Sequence, residues 1–544
     1  MLNTGESDNS LPYHYNKRGF RADFSWKIGD HKIQIGAEDY RIHTDALTEY
    51  GSKGIYYYSA YSIPTATNDG ANPSVIIPAN TPYVMNYNAK NGGKLFQTNR
   101  GAYIEDYWQA SKNVLIYGGL RRDNAKASLA DGQHGLDLYT TSPRLGVSWD
   151  VHGDSSMKIG LSAGEYSLPV PGVVMDSLFN NYAYNYTYST YTGINADGSP
   201  IGAKQFASHT VASSAANARE LTSAHLKNSL QDNFTLYMQD NSLIPDWSET
   251  VELDYSKIKR ALAVWSDLDS GSGITSSAYR YLQSLGYADP YIKNYVLINP
   301  GSAVTLTNDF NHDGKLATVT IPGSNTGLPK AKRNAYTMTL DMVHPETPEQ
   351  PFFLDFSYSW KHVHGNYEGY YGETNGNVLG SPTLRYAGLS EGSSGDLPGD
   401  VRNTVRINFS HTFAHSITAG IGGYWQSGNP RSCYTTYPES TNAAAQGGES
   451  SFYCNGVLTP RGSLGHMPSY WDLDLHMGWT HKVGLNTFSV QFGVNNILNR
   501  QMLIYRDPFE GYYSNGSFIT ETRYDGRVYT AARSAWLSLR YSFN

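Results

Sequence analysis

Apolar and polar residues alternate along this chain with a period of two, which is the pattern of half-buried β-strands. In the stretch GFRADFSWKIG the side chains of Phe20, Phe24 and Trp26 share one face, and charged or polar residues occupy the other. A short Gly29-Asp30 turn follows, after which the alternation resumes in HKIQIGAE. This arrangement predicts a β-hairpin close to the start of the chain.

Further alternating segments follow along the chain, and most of them form pairs around a short turn. They are Leu145–Val151, Met157–Ala163, Tyr336–Met342, Leu354–Trp360, Val405–Phe413, Ile417–Trp425, Trp471–Trp479, Phe488–Val494 and Ala535–Phe543. Long segments rich in Tyr, Asn, Ser, Gly and Pro lie between the hairpins, at 47–95, 170–244, 273–327, 370–397, 431–468 and 502–532. We therefore expect short turns to alternate with long loops.

This alternation of short turns and long loops discriminates between the possible all-β architectures. A soluble β-sandwich or propeller explains the alternation but not the asymmetry, because long structureless loops are uncommon in compact domains. Outer-membrane barrels combine short periplasmic turns with long extracellular loops. Their aromatic girdles would also account for the tryptophans near strand ends, which are Trp108, Trp149, Trp247, Trp360, Trp425 and Trp479. The sequence predicts an all-β, antiparallel transmembrane β-barrel of the outer-membrane type.

Composition is consistent with a barrel and excludes several other classes. The chain has 544 residues, of which 44 are tyrosines. Only 16% of all residues are charged, and the net charge is −7. Mean hydropathy is −0.47, and no run of about 18 apolar residues offers a transmembrane helix. Both signs of charge are dispersed, so nothing indicates a nucleic-acid partner. The opening MLNTGESDNSLPYHYNKRG has neither the apolar core nor the cleavage pattern of a signal peptide.

Several longer stretches occur in a recognisable order. AYIEDYWQASKNVLIYGGLRRDN contains a Tyr-x-x-Asp-x-Trp core, and TSPRLGVSWDVHGD, FSYSWKHVHGNYEG, GDLPGDVRNTVRINFSHTF and GYWQSGNP follow it. VQFGVNNILNRQ and GRVYTAARSAWLSLRYSFN close the chain. In order and spacing these motifs resemble the C-terminal part of TonB-dependent outer-membrane transporters, and most of all their Oar-like branch. The similarity spans nearly all of the chain.

The resemblance implies a barrel of about 22 strands around a globular plug, with a segment that reaches the inner-membrane TonB protein. Only about 14–16 strands are recognisable in this chain. We expect residues 1–16 to be a disordered or non-native start, and residues 17–544 to be the C-terminal portion of the barrel. Plug, coupling segment and early strands would then be absent from this truncated chain. An unclosed sheet of this kind leaves two edges with unpaired backbone groups.

The last strand resembles the assembly signal of the family. Members typically end in an aromatic residue that the barrel assembly machinery recognises, and Phe543 corresponds to it. The residues implied in this signal are Trp536, Leu537, Leu539, Tyr541 and Phe543. Here Asn544 follows the aromatic, where the family usually stops.

The predicted extracellular loops contain a cysteine pair and two tyrosine clusters. Cys433 and Cys454 lie close together in a Gly/Ser/Asn-rich stretch, which predicts a disulfide in an oxidising compartment, with two free thiols as the alternative. Tyrosines are concentrated at Tyr56–Tyr61 and Tyr182–Tyr191. These rings would stack on a sugar, siderophore or peptide, pack against each other, or belong to the aromatic belt.

A calcium loop is the metal site that the sequence predicts. In NDFNHDGKLATVT, Asp309, Asn311 and Asp313 stand at alternate positions before Gly314, and oxygen ligands with this spacing suit a hard cation. The twelfth position holds Thr320 instead of the usual Glu, and flanking helices are not evident. A polar β-turn in an extracellular loop is the alternative.

Other polar residues predict a lumen wall instead of a catalytic site. No metal-binding histidine motif, nucleophile–base–acid arrangement or phosphate loop is present, so we expect no enzymatic activity and no cofactor apart from Ca²⁺. His362 and His364 alternate on a strand, and we expect them to line its polar face. Inward positions of the lumen are predicted for Asp355, Arg406, Asp472, Asp474 and Arg540.

The sequence therefore predicts an Oar-like transporter barrel in the bacterial outer membrane, which takes up or exports an unknown substrate. Its expected partners are outer-membrane lipid, the barrel assembly machinery and, through a plug that this chain lacks, the TonB complex. For that reason autonomous transport is not expected. A surface-exposed adhesion or glycan-binding protein is the alternative, and a soluble extracellular β-rich enzyme is a third hypothesis.

Overall fold

The computed structural model places most of the chain in β-strands. It describes residues 2–3, 8–10, 14–59, 66–69, 72–128, 134–168, 170, 181–212, 218–266, 276–290, 296–311, 313–370, 382–413, 416–436, 450–454, 456–506, 509–514, 517–520 and 527–543. Fifteen long strands form the body of one large sheet. We number them β1 to β15: His14–Ile28, His31–Tyr58, Tyr83–Gln109, Val114–Ser128, His134–Asp150, Met157–Leu168, Ser229–Asp240, Ser248–Arg260, Arg333–His344, Phe352–Gly365, Asn403–Phe413, Ile417–Gln426, Tyr470–Val483, Asn486–Asn495 and Ser534–Ser542.

The fifteen strands follow one another as an antiparallel meander, in which each strand pairs with the next one in the chain. The predicted all-β, antiparallel fold with 14–16 strands is confirmed. In the part of the chain that the structure describes, the only long strand paired with β1 is β2, and the only one paired with β15 is β14. The sheet therefore has two open edges.

The two ends of the sheet differ in the length of their connections. At the short-turn end, β1 and β2 are joined by Gly29-Asp30, and β13 and β14 by Gly484-Leu485. Gly29 and Gly484 have φ of 55° and 65°, which a two-residue hairpin of this kind requires. The opposite end, called the long-loop end, carries the connections 59–82, 169–228, 261–332, 366–402, 427–469 and 496–533, with 129–133 as a short one among them.

Two of the predicted loops are partly wrong. Segment 170–244 contains β7, in which Asp232 interrupts the apolar positions, but pairing with β6 and β8 on both sides keeps the backbone extended. Segment 47–95 contains the far half of β2 and the near half of β3, which pair with each other. Asn181–Thr190 extends this part of the sheet by pairing with β3. In Asn181–Thr190 tyrosine stands at every second position, so the alternation is present, but it consists of the tyrosines of the predicted loop cluster.

The start of the chain also takes part in the sheet. β1 begins at His14, three residues before the predicted boundary at residue 17. Leu2–Asn3 and Asp8–Ser10 form short strands that pair with the far half of β2. The expected division of the chain at residues 16 and 17 stays a prediction.

Shorter elements lie mostly in the long loops. In the described part of the chain, the helices are α1 at Ala218–Leu221 and α2 at Ser277–Ser284, with 3-10 turns at Gly323–Asn325, Pro382–Leu384 and Ala387–Ser390. Among the described residues, no helix has the length and apolar character to cross a membrane. The remaining short strands are Thr67–Asp69, Asn72–Ile77, Gly193–Ile194, Pro200–Ile201, Lys204–Ala212, Ala263–Trp265, Val296–Ile298, Val304–Asn308, Ala317–Ile321, Gly395–Asp396, Tyr434–Thr436, Ser450–Ser451, Tyr453–Cys454, Val457–Leu458, Leu503–Arg506, Phe509–Ser514, Ser517–Thr520 and Arg527–Tyr529.

Much of the buried apolar core lies at the long-loop end and not in the middle of the sheet. One cluster belongs to the loop between β8 and β9 and includes Trp265, Leu282, Val296, Ile298, Phe310 and Ile321. A second cluster joins that loop to the loop between β6 and β7, to the middle of β3 and to the start of β5. Its members include Leu95, Leu136, Leu138, Leu221, Leu262 and Leu297. Because these loops bury their own side chains, they are folded structures and not open connections.

Candidate functional site

A row of exposed apolar side chains crosses the sheet from β3 to β9. Its members are direct cross-strand neighbours and are each between 37% and 52% exposed: Trp108, Ile116, Val147, Leu161, Leu236, Leu253 and Met338. Similar rows consist of Phe24, Ile35, Ile104 and Leu120 on β1 to β4, and of Phe409, Ile421, Leu475 and Val494 on β11 to β14. We call this side of the sheet the apolar face. Soluble monomers rarely expose an apolar surface of such continuity.

Tryptophans lie near both borders of the apolar face. Trp108, Trp149 and Trp479 are exposed near the short-turn end, and Trp360 and Trp425 lie near the long-loop end. Indole rings combine an apolar body with one N–H donor, so they suit a boundary between apolar and wet surroundings. Their positions near strand ends agree with the girdles that the sequence predicts.

The opposite side of the sheet, called the polar face, carries ion pairs within single strands and between β4 and β2, across β3. Arg21 donates from Nε to Asp23 at 2.7 Å. Arg121 pairs with Glu38 and, through Nε, with Asp123 at 2.8 Å, and the side chains of this trio are mostly shielded from solvent. A sheet with one apolar and one charged face matches the wall of a membrane barrel with a polar interior.

The predicted lumen residues lie on this polar face. Cross-strand register places them opposite to the apolar rows of β10 to β15, and they are Asp355, Arg406, Asp472, Asp474 and Arg540. Asn408 donates a hydrogen bond from Nδ2 to Asp355 at 3.2 Å. The polar face therefore extends across the whole sheet.

His362 and His364 do not lie on the polar face, so this expectation is wrong. Both lie an even number of residues from Phe356 and Trp360 on β10, so their side chains point to the same side as those two, which is the apolar face. The ring of His362 is 6.4 Å from that of Trp360 and 6.1 Å from that of His364. The two histidines follow Trp360 on the same side of β10, toward the long-loop end. Polar residues suit these positions because they lie beyond the apolar part of this face.

The predicted calcium loop forms a turn between two short strands. Asp309 accepts hydrogen bonds from the backbone N–H groups of Asp313 at 3.1 Å and Gly314 at 2.8 Å. Asp313 in turn accepts one from the N–H of Lys315 at 2.9 Å, and Asn311 is exposed. These bonds use the carboxylates to hold the turn itself. Calcium binding stays a prediction.

The two cysteines are bonded to each other within the loop between β12 and β13. Cys433 and Cys454 form a disulfide, and their Cα atoms are 5.6 Å apart. The side chain of Cys433 is fully buried, and so is that of Phe452 in the same loop. Segment 437–449, between the two cysteines, lies outside the described residues.

Tyrosines of the two clusters pack against other aromatic rings. Tyr58 is buried, meets Tyr191 edge to face at 4.9 Å and donates a hydrogen bond to the carbonyl of Gly198 at 2.9 Å. Tyr184 stacks on Tyr87 of β3 at 5.9 Å. Tyr61 and the side chain of Tyr182 lie outside the described residues. For the described rings, these contacts favour packing of the rings against each other, although several of them lie on strands and not in loops.

Three buried loop residues were not recognised from the sequence. Tyr367 donates a hydrogen bond to the carbonyl of Leu262 at 3.3 Å, and its burial raises the pKa of the phenol. Arg461 pairs with Glu368 although nearly a hundred positions separate them in the chain. Nothing in the local sequence marks these residues, because their partners come from other loops.

The closing strand β15 exposes its apolar side. Leu537 lies opposite Phe492 on β14, Leu539 lies opposite Val490, and Phe543 beyond the strand is strongly exposed. Trp536 points to the other face, where its ring covers Gly493. This geometry leaves the aromatic end of the chain accessible, and its role as an assembly signal stays a prediction.

Comparisons with known proteins find only distant likeness. No protein-family model matches the chain, and no curated protein matches it. Among solved structures, FpvAI in complex with pyocin S2 is 8% identical with a TM-score of 0.43, over 97% of this chain and 54% of the other. The FrpB iron transporter of Neisseria meningitidis (F5-1 variant) is 11% identical with a TM-score of 0.43, over 97% and 63%. The siderophore receptor PirA of Acinetobacter baumannii is 11% identical with a TM-score of 0.42, over 98% and 63%. The chain thus spans only about 54–63% of the length of these structures.

Proposed function

We propose that this chain forms the wall of an outer-membrane transporter or receptor of the Oar-like branch of TonB-dependent transporters. The observation that carries the proposal is the apolar face, whose rows run across neighbouring strands without a covering layer among the described residues. Lipid tails are a suitable cover, because the backbone groups of inner strands are satisfied by the strands beside them. The tryptophans at both borders would then mark the membrane interfaces.

The distribution of charge and loops supports the same proposal. The polar face would line the interior, and its ion pairs such as Arg121 with Glu38 and Asp123 would give that interior a hydrated surface. The folded loops at the long-loop end would form the extracellular surface that meets a substrate. The order of the sequence motifs, which resembles that of Oar-like members, supports the assignment to this branch.

The activity of the whole protein and its partners are part of the proposal. In complete relatives a plug and a coupling segment link the barrel to TonB, and transport of a substrate depends on that link. Outer-membrane lipid would contact the apolar face, and the barrel assembly machinery would recognise the end of β15. The alternative of adhesion or glycan binding has no specific support from the described tyrosines, since those rings pack against each other.

Substitutions at adjacent positions on opposite faces test the lipid contact. We expect Leu253→Arg to reduce the amount of protein in the outer-membrane fraction, because a charge on the lipid face costs about 2–4 kcal/mol near the bilayer centre. Glu252→Arg is the matched control, since Glu252 lies on the polar face near Asp254 and Asp341. The measurement is the quantity of inserted protein after density separation of membranes.

Two results would contradict this proposal. Recovery of the wild-type protein as a soluble monomer without detergent would exclude a membrane wall, and equal insertion of both arginine variants would exclude lipid contact at Leu253. Transport is tested separately by growth on candidate substrates. Growth that depends on this gene and also on TonB would support a transporter, whereas cell attachment that is lost with the gene but independent of TonB would favour adhesion.

A further inference from the structure

Two imidazoles and a carboxylate converge at the long-loop end of β10. His362 and His364 are two residues apart on this strand, so their side chains point to the same side. The short strand Gly395–Asp396 pairs with the end of β10 and places Asp396 directly opposite His364. One possible ligand atom from each of the three residues lies within 4.8 Å of the other two.

The spacing of these atoms suits a small metal ion. Nδ1 of His364 is 3.4 Å from Oδ1 of Asp396, and Nδ1 of His362 is 3.9 Å from the same oxygen. Ligands of a tetrahedral ion with bonds of about 2.0–2.1 Å lie roughly 3.3–3.4 Å apart. The first pair already has this separation. The second is wider, because Nδ1 of His362 lies nearer to Oδ2 of Asp400, at 3.4 Å. The ligand atoms of the two imidazoles lie within 4.8 Å of each other, so a single ion would draw the rings together by rotation of the imidazoles.

Neighbouring groups hold the three side chains in place. The fully buried Asp400 accepts a hydrogen bond at 3.1 Å from the N–H of Val363, the residue between the two histidines. Arg402 donates to Asp400 at 2.6 Å and to Oδ2 of Asp396 at 3.3 Å, so Oδ1 of Asp396 is the oxygen turned toward the imidazoles. Such supporting partners typically change metal affinity by about 10–100-fold when they are lost.

Charge and access also favour a cation. Two carboxylates and one guanidinium leave this cluster with a net negative charge when both imidazoles are neutral. The side chain of His364 is 48% exposed, whereas those of His362 and Asp396 are more shielded. An ion can therefore enter from solvent and keep positions open for water.

We propose that His362, His364 and Asp396 bind a divalent first-row transition metal ion of the Zn²⁺, Ni²⁺ or Cu²⁺ type. Imidazole nitrogens suit these ions, whereas Ca²⁺ and Mg²⁺ prefer sites made entirely of oxygen. This site is separate from the predicted calcium loop around Asp309. The metal-site proposal is also independent of the proposed transport function, because metal binding by the purified chain is measured without any transport.

The chain contains a matched control on another strand. His481 follows Trp479 at the same spacing at which His362 follows Trp360, and its ring lies 5.5 Å from the indole. Val483 takes the place that His364 has on β10. His481 therefore shows how strongly a single exposed histidine beside a tryptophan binds a metal ion.

The test is calorimetric titration of Zn²⁺ into the purified full chain in detergent, without a histidine tag and after treatment with a chelator. We expect one Zn²⁺ per chain and an affinity at least about tenfold lower in His364→Gln and in Asp396→Asn, since each loses one of three ligands. His481→Gln should bind like the wild type. An excess of Mg²⁺ should not displace the ion.

Electron paramagnetic resonance of bound Cu²⁺ provides a second readout. The wild type should show coupling to two nitrogens, and His364→Gln should show coupling to one. Circular dichroism establishes that the variants keep their strands. The proposal is overturned if Zn²⁺ binds the doubly substituted His362→Gln/His364→Gln chain with wild-type affinity, if His481→Gln loses as much affinity as His364→Gln, or if no Zn²⁺ binds to the wild type.

Discussion

Arg461 illustrates how single residues fix the loops at the long-loop end. The side chains of Arg461 and Glu368 are 0% and 1% exposed, and the two form an ion pair. Arg461 also donates from Nε to the carbonyl of Ser393 at 2.7 Å and lies over the ring of Phe452 at 4.8 Å. One side chain thus joins the loop between β12 and β13 to the loop between β10 and β11. The stability of a buried ion pair requires both members, because removal of one leaves the charge of the other buried without compensation.

We expect Arg461→Met to destabilise the packing of these loops by about 3–5 kcal/mol, because it leaves the carboxylate of Glu368 buried without its partner. The double variant Glu368→Leu/Arg461→Met should recover much of the loss. Arg41→Met is the control, since Arg41 forms a solvent-exposed pair with Asp39, and exposed pairs of this kind contribute little to stability. Hydrogen exchange of residues 450–465 measures the effect, and equal exchange in Arg461→Met and wild type would contradict it.

At the scale of elements, the long loops behave as folded units attached to the sheet. Helix α2 shows this in the loop between β8 and β9, where the Ser276 side chain accepts a hydrogen bond from the N–H of Tyr279, and Leu282 is fully buried. The described part of the loop between β12 and β13 contains short strands and no helix. There the Cys433–Cys454 disulfide holds together the short strands that pair beside it.

We expect the double variant Cys433→Ser/Cys454→Ser to be cleaved faster by proteases within 427–469, while β12 and β13 remain protected. A disulfide that closes a loop of 21 residues stabilises by about 3 kcal/mol in the chain-entropy treatment. Reductant should produce the same sensitivity in the wild type and no further change in the variant. Cleavage that is identical with and without the disulfide would refute this expectation.

At the scale of the whole molecule, the sheet has an apolar face, a polar face and two open edges. β1 and β15 each have one long neighbour in the described structure, so about half of their amides point away from any partner strand. Such edges are hazards in water and costly in lipid, where backbone groups must be satisfied. For the proposed membrane wall, these two edges are therefore the parts of the described sheet that would need a further partner strand.

We expect amides of His14–Ile28 and Ser534–Ser542 to exchange roughly tenfold or more faster than those of Val114–Ser128, when the chain is studied alone in detergent. The reason is that strand amides with a bonded neighbour on both sides are protected, whereas edge amides are open. Hydrogen exchange with mass spectrometry measures this. Protection of β1 and β15 equal to that of β4 would show that the edges are paired, either with each other or with a second copy.

The local pattern of residues accounts for most strands and for the difference between the two ends of the sheet. Alternation is a property of neighbouring residues, so segments such as Leu354–Trp360 can be recognised without knowledge of their partners. The Gly29-Asp30 turn follows from the same local rule. β7 was missed because Asp232 interrupts its alternation, and pairing with strands on both sides determines its structure.

The candidate sites depended on contacts that the sequence does not contain. The alternation of β10, read past Trp360, is enough to put His362 and His364 on the apolar side, but only pairing with the short strand brings Asp396 to them. The bond between Arg461 and Glu368 and the packing of Tyr58 on Tyr191 likewise join distant loops. The sequence by itself determined most of the strands and the face on which most of their side chains lie, because both follow from a period of two. Tertiary structure decided which loops meet and whether the edges pair, because these depend on distances between residues far apart in the chain.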